Sequence, residues 1–317
     1  MRVLITGSAG FIGFNLANFL LKNNNTVFGI DNFDKYYSIK LKKKRLALLK
    51  KNKKFFFKNI DITNKKKLKN FFKRKKIDLI INLAAQAGVR YSYVNPTKYV
   101  DVNILGFMNI IKEAKKNNIK KIVYASSSSV YGESKNFPLK ENEILKPKNI
   151  YAVSKKLNEE IAEFHHKISQ IKFIGLRFFT VFGEWGRPDM FMMKLFKSHI
   201  TKKPFFLNNY GNHLRDFTYI GDTVKAVAQL MKKNFVNHEI FNICSNSPIN
   251  IYDIVKKFNE KNPVKVKLIE MHKADILKTH GNNKKLKKHF PKIKYSNFYS
   301  TFYKTFDWYK KNKIYKF

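Results

Sequence analysis

Along the first half of the chain, short apolar runs alternate with longer segments whose apolar residues recur every three or four positions. Arg2–Thr6 reads as a strand, residues 11–23 as a helix and Thr26–Asp31 as a second strand. Residues 55–60, 79–83 and 122–126 read as further strands, and 103–117 and 151–167 as helices. The runs Leu79-Ile80-Ile81 and Ile122-Val123-Tyr124-Ala125 are continuously apolar, as strands buried on both faces should be. Such alternation predicts an α/β fold built on a Rossmann-type, doubly wound parallel sheet, with a ligand at the carboxyl ends of its strands. After Arg177 the pattern loosens. Residues 183–215 are rich in Pro, Gly, Trp and polar side chains, 241–243 return to strand character, and a last helix is expected over 302–311. The predicted division is a dinucleotide-binding domain over 1–176, rejoined by about 216–245, and a smaller mixed α/β substrate-binding region in the rest of 177–317.

Composition changes this picture little. The 317 residues, 44% of them hydrophobic, can bury a sizeable core. No apolar run is long enough to span a bilayer, and Met1 leads directly into the first strand without room for a cleavable leader, so the expected address is the cytoplasm. One cysteine, Cys244, excludes a disulfide framework and a multi-cysteine metal site, and no metal is expected; the cysteine reads as a core residue. The formal charge of +42 raises the question of nucleic acid. Its lysines are scattered, however, and clusters such as Lys42-Lys43-Lys44-Arg45, Lys65-Lys66-Lys67 and Lys284-Lys285 accompany no recognisable nucleic-acid-binding motif. The charge reads as compositional drift whose field favours anionic ligands in general.

Chemistry enters at Thr6-Gly7-Ser8-Ala9-Gly10-Phe11-Ile12-Gly13, which follows the first strand and opens the first helix. Gly7 and Gly10 permit a tight turn and close approach of backbone to a pyrophosphate. Gly13 lets the helix pack on the sheet, and the helix N-terminus favours the anion. Asp31 ends the second strand 21 residues after Gly10. A carboxylate there accepts hydrogen bonds from ribose hydroxyls and repels a 2′-phosphate, and no arginine adjoins it in sequence, so NAD is expected rather than NADP. The alternative is a loop-opening Asp31-Asn32 turn. Asp61-Ile62 is a further candidate for the adenine edge, although an Asp before Thr63 equally suits a helix cap.

Tyr151 and Lys155 stand four apart on one face of a predicted helix. A phenol, with a reference pKa of about 10, is a poor base at neutral pH; a neighbouring ammonium and a positive nicotinamide ring are expected to lower it. About 25 residues earlier, the run Ser126-Ser127-Ser128-Ser129-Val130-Tyr131-Gly132 closes a strand. Its hydroxyls can point into the cofactor crevice and share a proton with the tyrosine.

Together Gly7/Gly10/Gly13, Asn82-Leu-Ala-Ala-Gln86, the serine run and Tyr151/Lys155 resemble the extended short-chain dehydrogenases/reductases, the NAD-dependent epimerase/dehydratase family. More specific segments resemble its UDP-glucuronate 4-epimerases: Asp31-Asn-Phe-Asp-Lys-Tyr-Tyr37, Ala84-Ala-Gln-Ala-Gly-Val-Arg-Tyr-Ser92, Leu176-Arg-Phe-Phe-Thr-Val-Phe-Gly183, Trp185-Gly-Arg-Pro-Asp-Met190 and Arg215-Asp-Phe-Thr-Tyr-Ile220. The likeness covers nearly the whole chain and fades after about residue 280. It implies Tyr151 as base, Lys155 as its partner and Ser127 as the catalytic hydroxyl. It implies NAD held by Gly7, Gly10, Phe11, Ile12, Gly13, Asp31, Asn32, Asp61, Ile62, Leu83, Ala84, Ala85, Ser126, Tyr151 and Lys155. Arg215 would grip the UDP diphosphate, a surface pairing with Asp216 being the plain alternative; Arg90, Arg187 and Thr180 would lie near the sugar and diphosphate, and Ser128 and Ser129 near the sugar. A homodimer built from two helices per subunit is also implied. Two positions depart from the pattern: Asn82 where many relatives have His, and Cys244 where many have Gly.

The implied reaction is epimerisation at C4 of a UDP-sugar through a transient 4-keto sugar, UDP-glucuronate being expected. Related 4,6-dehydratases and uronate decarboxylases usually carry an acidic residue before Val-Tyr-Gly, where this chain has Ser129. Other UDP-hexose or UDP-N-acetylhexosamine 4-epimerases remain the nearest alternatives. A catalytically silent dinucleotide-binding regulator is a further one, which the intact Ser127/Tyr151/Lys155 set argues against.

Overall fold

The computed structural model describes residues 1–73, 75–272 and 274–317. Its strands are β1 (Arg2–Thr6), β2 (Thr26–Asp31), β3 (Phe55–Asn59), β4 (Leu79–Asn82), β5 (Lys121–Ser127), β6 (Lys172–Phe178), β7 (Thr180–Phe182), β8 (Phe205–Asn208), β9 (Leu214–Tyr219), β10 (Glu239–Ile243), β11 (Pro248–Asn250) and β12 (Val266–Ile269). The helices are α1 (Phe11–Lys22), α2 (Ile39–Lys50), α3 (Lys65–Phe72), α4 (Thr97–Tyr99), α5 (Gly106–Lys116), α6 (Ile150–Ile168), α7 (Phe191–Thr201), α8 (Ile220–Leu230), α9 (Ile251–Lys261), α10 (Lys284–His289) and α11 (Phe298–Lys311). None is long and apolar enough to cross a membrane.

Seven strands form one sheet in the order β10-β6-β5-β4-β1-β2-β3, and each adjacent pair is parallel. The order reverses direction about β1, which leaves a crevice at the carboxyl ends of β1 and β4. The alternating geometry of a strand divides the core in two. Val3, Ile5, Leu79, Ile81 and Val123 pack on one face with α1, α2 and α8, whereas Leu4, Ile80, Ile122 and Tyr124 pack on the other with α3 and α5. Both faces are therefore buried, as the continuous apolar runs require. The smaller region adds a three-stranded sheet, β11-β9-β7, and a two-stranded one, β12-β8. Cys244 is fully buried beside Val130 and Phe179.

Several boundaries differ from the sequence expectation. The helix expected over 103–117 begins at Thr97 and passes through a π-helical segment, Val100–Leu105, before α5. The apolar period is broken there because Asn103 turns inward. Its side chain accepts from the Gln86 N–H (2.8 Å) and donates to Ser154 Oγ (2.9 Å), so it ties the loop after β4 to α6. The region 183–215 is more regular than its composition suggested, holding α7, β8 and the start of β9. Residues 239–243 rejoin the main sheet beside β6, but 214–219 lie in the three-stranded sheet. The lysine clusters do fall on helices α2, α3 and α10. One is not a solvated face: Arg45 is fully buried and Lys42 is 6% exposed. The Arg45 guanidinium donates to the carbonyls of Ala9 (3.0 Å) and Trp185 (2.6 Å) and to the Tyr37 hydroxyl (2.8 Å), joining the glycine turn to the 185–190 segment.

Candidate active site

The crevice begins at the turn between β1 and α1. Gly7 has φ +69, a conformation that glycine adopts without strain, and the Gly10 N–H closes the turn on the Gly7 carbonyl at 2.9 Å. A Cβ on Gly13 would run into that carbonyl oxygen, so α1 approaches the turn only because residue 13 is glycine. No side chain caps α1 and no acidic residue stands in its first turn, leaving its N–H groups and dipole for an anion. At the end of β2, the Asp31 carboxylate accepts from the N–H groups of Ala9 (3.0 Å) and Phe33 (2.8 Å). Burial pushes its pKa up against these bonds and against the charges of Lys42 and Arg45. Sequence proximity therefore misled in one respect: an arginine, Arg45, does stand near Asp31 in space, with Nη1 and Nη2 donating to carbonyls and Tyr37.

A cavity of about 400 Å³ runs from this turn to α6. Its walls bring together Gly7, Gly10, Phe11, Ile12, Gly13, Asp31, Asn32, Asp61, Ile62, Leu83, Ala84, Ala85, Ser126, Ser127, Ser128, Ser129, Tyr151, Lys155, Thr180 and Arg187. Asp61 caps no helix. It accepts from Thr63 and from Asn32 Nδ2 (2.7 Å), while Asn64 caps α3 through the Lys67 N–H. Asn82, one of the two departures, accepts from Thr6 Oγ1 (2.7 Å), and that hydroxyl accepts from the Ala84 N–H (3.0 Å). These bonds knit the floor of the crevice rather than reaching the chemistry.

The residues expected to be catalytic converge. Asn149 caps α6 by accepting from the Ala152 N–H (2.9 Å), which fixes the first turn carrying Tyr151. The Ser127 hydroxyl hydrogen-bonds the Tyr151 phenol. One turn along, Lys155 Nζ donates to the Ala125 carbonyl (2.8 Å). Here the structure corrects the expectation for the phenol. Burial raises its pKa, opposed by the bond to Ser127 and the charge of Arg187, and Lys155 is not among the groups that lower it. The ammonium is itself weakened by burial, to about 8, with the Glu159 carboxylate opposing the fall. Within the protein alone, then, the pair rests as neutral phenol and easily deprotonated amine; a positive ring bound over it supplies the missing stabilisation of phenolate.

Behind this set lies a network that the sequence did not announce. Glu159 accepts from Ser126 Oγ (2.5 Å) and makes a two-pronged ion pair with Arg177, Nε at 2.9 Å and Nη2 at 2.7 Å. Arg177 also donates to Tyr131 Oη (2.9 Å), which donates to Asn242 (2.7 Å). The hydroxyl of Ser126 is thus committed to Glu159. A Glu one turn after Lys155 on the helix, with an arginine on a neighbouring strand, was the available signal.

Arg187 and Thr180 also border a second cavity, of about 700 Å³, which Arg90 and Arg215 line with Lys194, Lys197 and Lys203. Arg187 forks onto Asp189 (3.0 and 2.5 Å) and Arg90 onto Asp275 (3.2 and 2.8 Å). Arg215 donates to the carbonyls of Leu277 (3.0 Å) and Ile276 (2.5 Å) and makes no pair with Asp216, whose carboxylate is filled by Ser245, Asn246 and Gly281. Burial lowers the Arg215 pKa to about 10. The predicted residues therefore divide between two adjoining cavities, one suited to a dinucleotide and one cationic.

A glycine turn at a helix N-terminus, an acid at the end of β2 and a Ser/Tyr/Lys set at the crevice define a dinucleotide-dependent dehydrogenase fold of the short-chain type. The profile of the NAD dependent epimerase/dehydratase family matches residues 3–244, and the chain belongs to that family. NAD is its cofactor, and the crevice residues fit it. The UDP-glucuronate 4-epimerase of Thermodesulfobacterium geofontis is 39% identical over 291 residues, covering 90% of this chain and 88% of that protein. The crystal structure of the UDP-glucuronic acid 4-epimerase from Bacillus cereus in complex with UDP-glucuronic acid and NAD is similar with a TM-score of 0.91 and 31% identity, covering 98% of this chain and all of that one. A UDP-N-acetylglucosamine 4-epimerase from Methanobrevibacter ruminantium, in complex with UDP-N-acetylmuramic acid, reaches a TM-score of 0.89 at 25% identity over 98% of both chains.

The lysine gives a prediction with a definite sign. Its folded pKa of about 8 lies below the ordinary 10.5, so between those values the unfolded chain binds more protons and stability rises with pH. In denaturant titrations without added NAD, the stability of the wild type relative to Lys155→Met should increase from pH ~8 to pH ~9.5 by about 2 kcal/mol. A flat difference would mean that the ammonium is not destabilised by its burial.

Proposed function

We propose that this NAD-dependent nucleotide-sugar 4-epimerase acts on UDP-glucuronate, interconverting it with UDP-galacturonate. The observation that carries the reading is the meeting of Tyr151, Ser127 and Lys155 in the wall of the dinucleotide crevice, which shares Gly88, Val89, Thr180 and Arg187 with the cationic cavity. Bound NAD supplies the carbon that accepts hydride from C4 of the sugar and later returns it. Tyr151 takes the proton from the C4 hydroxyl through its bond with Ser127, and returns it after the 4-keto ring has turned over. Lys155 holds the crevice wall at Ala125 and the nicotinamide ribose. Arg215, Arg90 and Arg187 give the diphosphate three cations, each of which must first exchange a bond to Asp275, Asp189 or a carbonyl.

A 4-keto uronate is a β-keto acid, and it loses carbon dioxide when its carboxylate bond aligns with the carbonyl. Ser128, Ser129 and Thr180, which line the cavity near Tyr151, restrain the carboxylate by hydrogen bonds worth about 1 kcal/mol each, more to a charged acceptor. A dehydratase or decarboxylase reading is disfavoured by the placement of acids. Among the described residues the carboxylates lining the first cavity are Asp31 at the end of β2, Asp34 in the loop after it and Asp61 in the loop after β3, and none comes from β5 or α6, which carry Ser127 and Tyr151. Other UDP-hexose and UDP-N-acetylhexosamine substrates are disfavoured by the excess of cations, which suits a third negative charge on the sugar. Incubation of the protein with UDP-glucuronate should give a galacto product of unchanged mass without release of NADH. Alanine at Ser128 or Thr180 should add a pentose product, and its absence would contradict the restraint. Faster turnover of UDP-glucose or UDP-N-acetylglucosamine would overturn the substrate assignment.

The chain is further proposed to work as a homodimer. Leu105 and Met108, at the start of α5, and Phe164 and Ile168 on α6 expose 38–58% of their surface. The spacings 105/108 and 164/168 place each pair on one helical face, and the α6 helix packs against the π-helical segment that leads into α5. Two such pairs facing a second copy would close an apolar four-helix seam. Phe164→Glu should halve the mass seen by sedimentation at micromolar concentration; an unchanged mass would place the interface elsewhere.

A further inference from the structure

The cationic cavity contains a buried polar atom that nothing in the protein satisfies. His213 links the turn Asn209–Gly211 to β9, is 5% exposed, and lines the cavity. Its backbone is pinned: the N–H donates to the Gly211 carbonyl (2.8 Å) and the carbonyl accepts from the Ile251 N–H (2.9 Å). The ring hydrogen-bonds the Asn208 main chain, while Nε2 has no partner. A neutral imidazole that donates from one nitrogen carries a bare lone pair on the other, and leaving such an atom buried costs about 1–3 kcal/mol. A ligand that meets the atom removes that cost.

The groups that face the ring say which ligand. Burial and the guanidinium of Arg215 on β9 hold the imidazole below its ordinary pKa; the carboxylate of Asp275, the partner of Arg90, opposes them, and Arg90 adds to them. Arg187, Lys194, Lys197 and Lys203 line the same cavity. With this excess of cations around the ring, a proton on Nε2 is disfavoured. An anion seated on Arg215 and Arg90 reverses the local field, and the same nitrogen then gains by drawing a proton from solvent and donating it to the anion.

We propose that His213 is a proton-linked contact for the nucleotide diphosphate, its Nε2 a bare acceptor in the free protein and a hydrogen-bond donor to a phosphoryl oxygen in the complex. The proposal rests on the reading of the substrate as a nucleotide sugar, and makes the binding step draw on a residue outside the Tyr151 chemistry. Because the ring is neutral when free and protonated when bound, affinity is greatest at low pH. It is lost as pH rises from the free pKa through the bound one.

Calorimetric titration of the NAD-loaded protein with UDP-glucuronate, in buffers of different ionisation enthalpy, tests this directly, since the diphosphate diester does not itself titrate near neutral pH. The wild type should take up roughly half a proton per site near neutral pH, and its affinity should fall about tenfold between pH ~6 and pH ~9. His213→Gln, checked for an unchanged melting temperature, should bind without proton uptake and with a pH-independent affinity close to the wild type's high-pH value. The same uptake in His213→Gln, or none in the wild type, would overturn the contact. Should that variant fold poorly, the wild type still decides: an uptake whose midpoint lies near pH 8 belongs to Lys155 and refutes the proposal, whereas a lower midpoint supports it. Binding without uptake sinks only the role of His213, while absence of heat with UDP-glucuronate, UDP-glucose and UDP alike sinks the nucleotide-sugar reading as well.

Discussion

One contact sets the geometry of the rest: the Lys155 ammonium on the Ala125 carbonyl, at 2.8 Å. It joins α6 to the end of β5, so the helix that carries Tyr151 is registered against the strand that carries Ser127. The contact is costly, because it places a cation where burial weakens it to a pKa of about 8. Glu159, one turn further along, offsets part of that cost through its charge, and Arg177 holds Glu159 in place by two bonds. Removing one partner of so buried a pair leaves an uncompensated charge, which is why this layer behind the chemistry is as constrained as the chemistry itself.

The same logic explains how a chain of charge +42 keeps a defined anion site. Most of its lysines are solvated and carry no information. The cations proposed to meet the anion are held in advance by the protein's own acceptors: Arg187 by Asp189, Arg90 by Asp275 and Arg215 by the main chain of 276–277. Each is therefore oriented before a ligand arrives, and in the proposed complex a diphosphate would replace bonds already made instead of ordering free side chains. What the anion gains is the difference between two sets of charge-assisted bonds, which favours selectivity over raw affinity.

Much of this was legible in the sequence where local physics decides. The glycine turn, Asp31 at the end of β2, the apolar runs of β1, β4 and β5 and the Tyr151/Lys155 spacing all express one-dimensional rules of period and backbone freedom. Three features were hidden because they depend on contacts distant in the chain. Arg45 read as one more lysine-cluster cation, since its partners lie 36 and 140 residues away. The helix before α5 read short because Asn103 serves a tertiary role within a π-helical turn. The phenol of Tyr151 was expected to be acidified by its lysine, yet that ammonium is spent on a carbonyl, and depth of burial dominates. His213 gave no pattern at all: its meaning comes from an unpartnered ring nitrogen beside a cavity that Arg90 and Arg215 also line.

The proposed reaction oxidises and re-reduces one sugar carbon within a single closed site, with Tyr151 moving only the proton. Turnover of UDP-glucuronate deuterated at C4, in ordinary water, tests that most directly. Mass and magnetic-resonance analysis should find the label retained at C4 of the galacto product over many turnovers, since the hydrogen passes only between C4 and the bound cofactor. Loss of the label to solvent at the rate of product formation would show that C4 is inverted by proton exchange, and would contradict the account at its base.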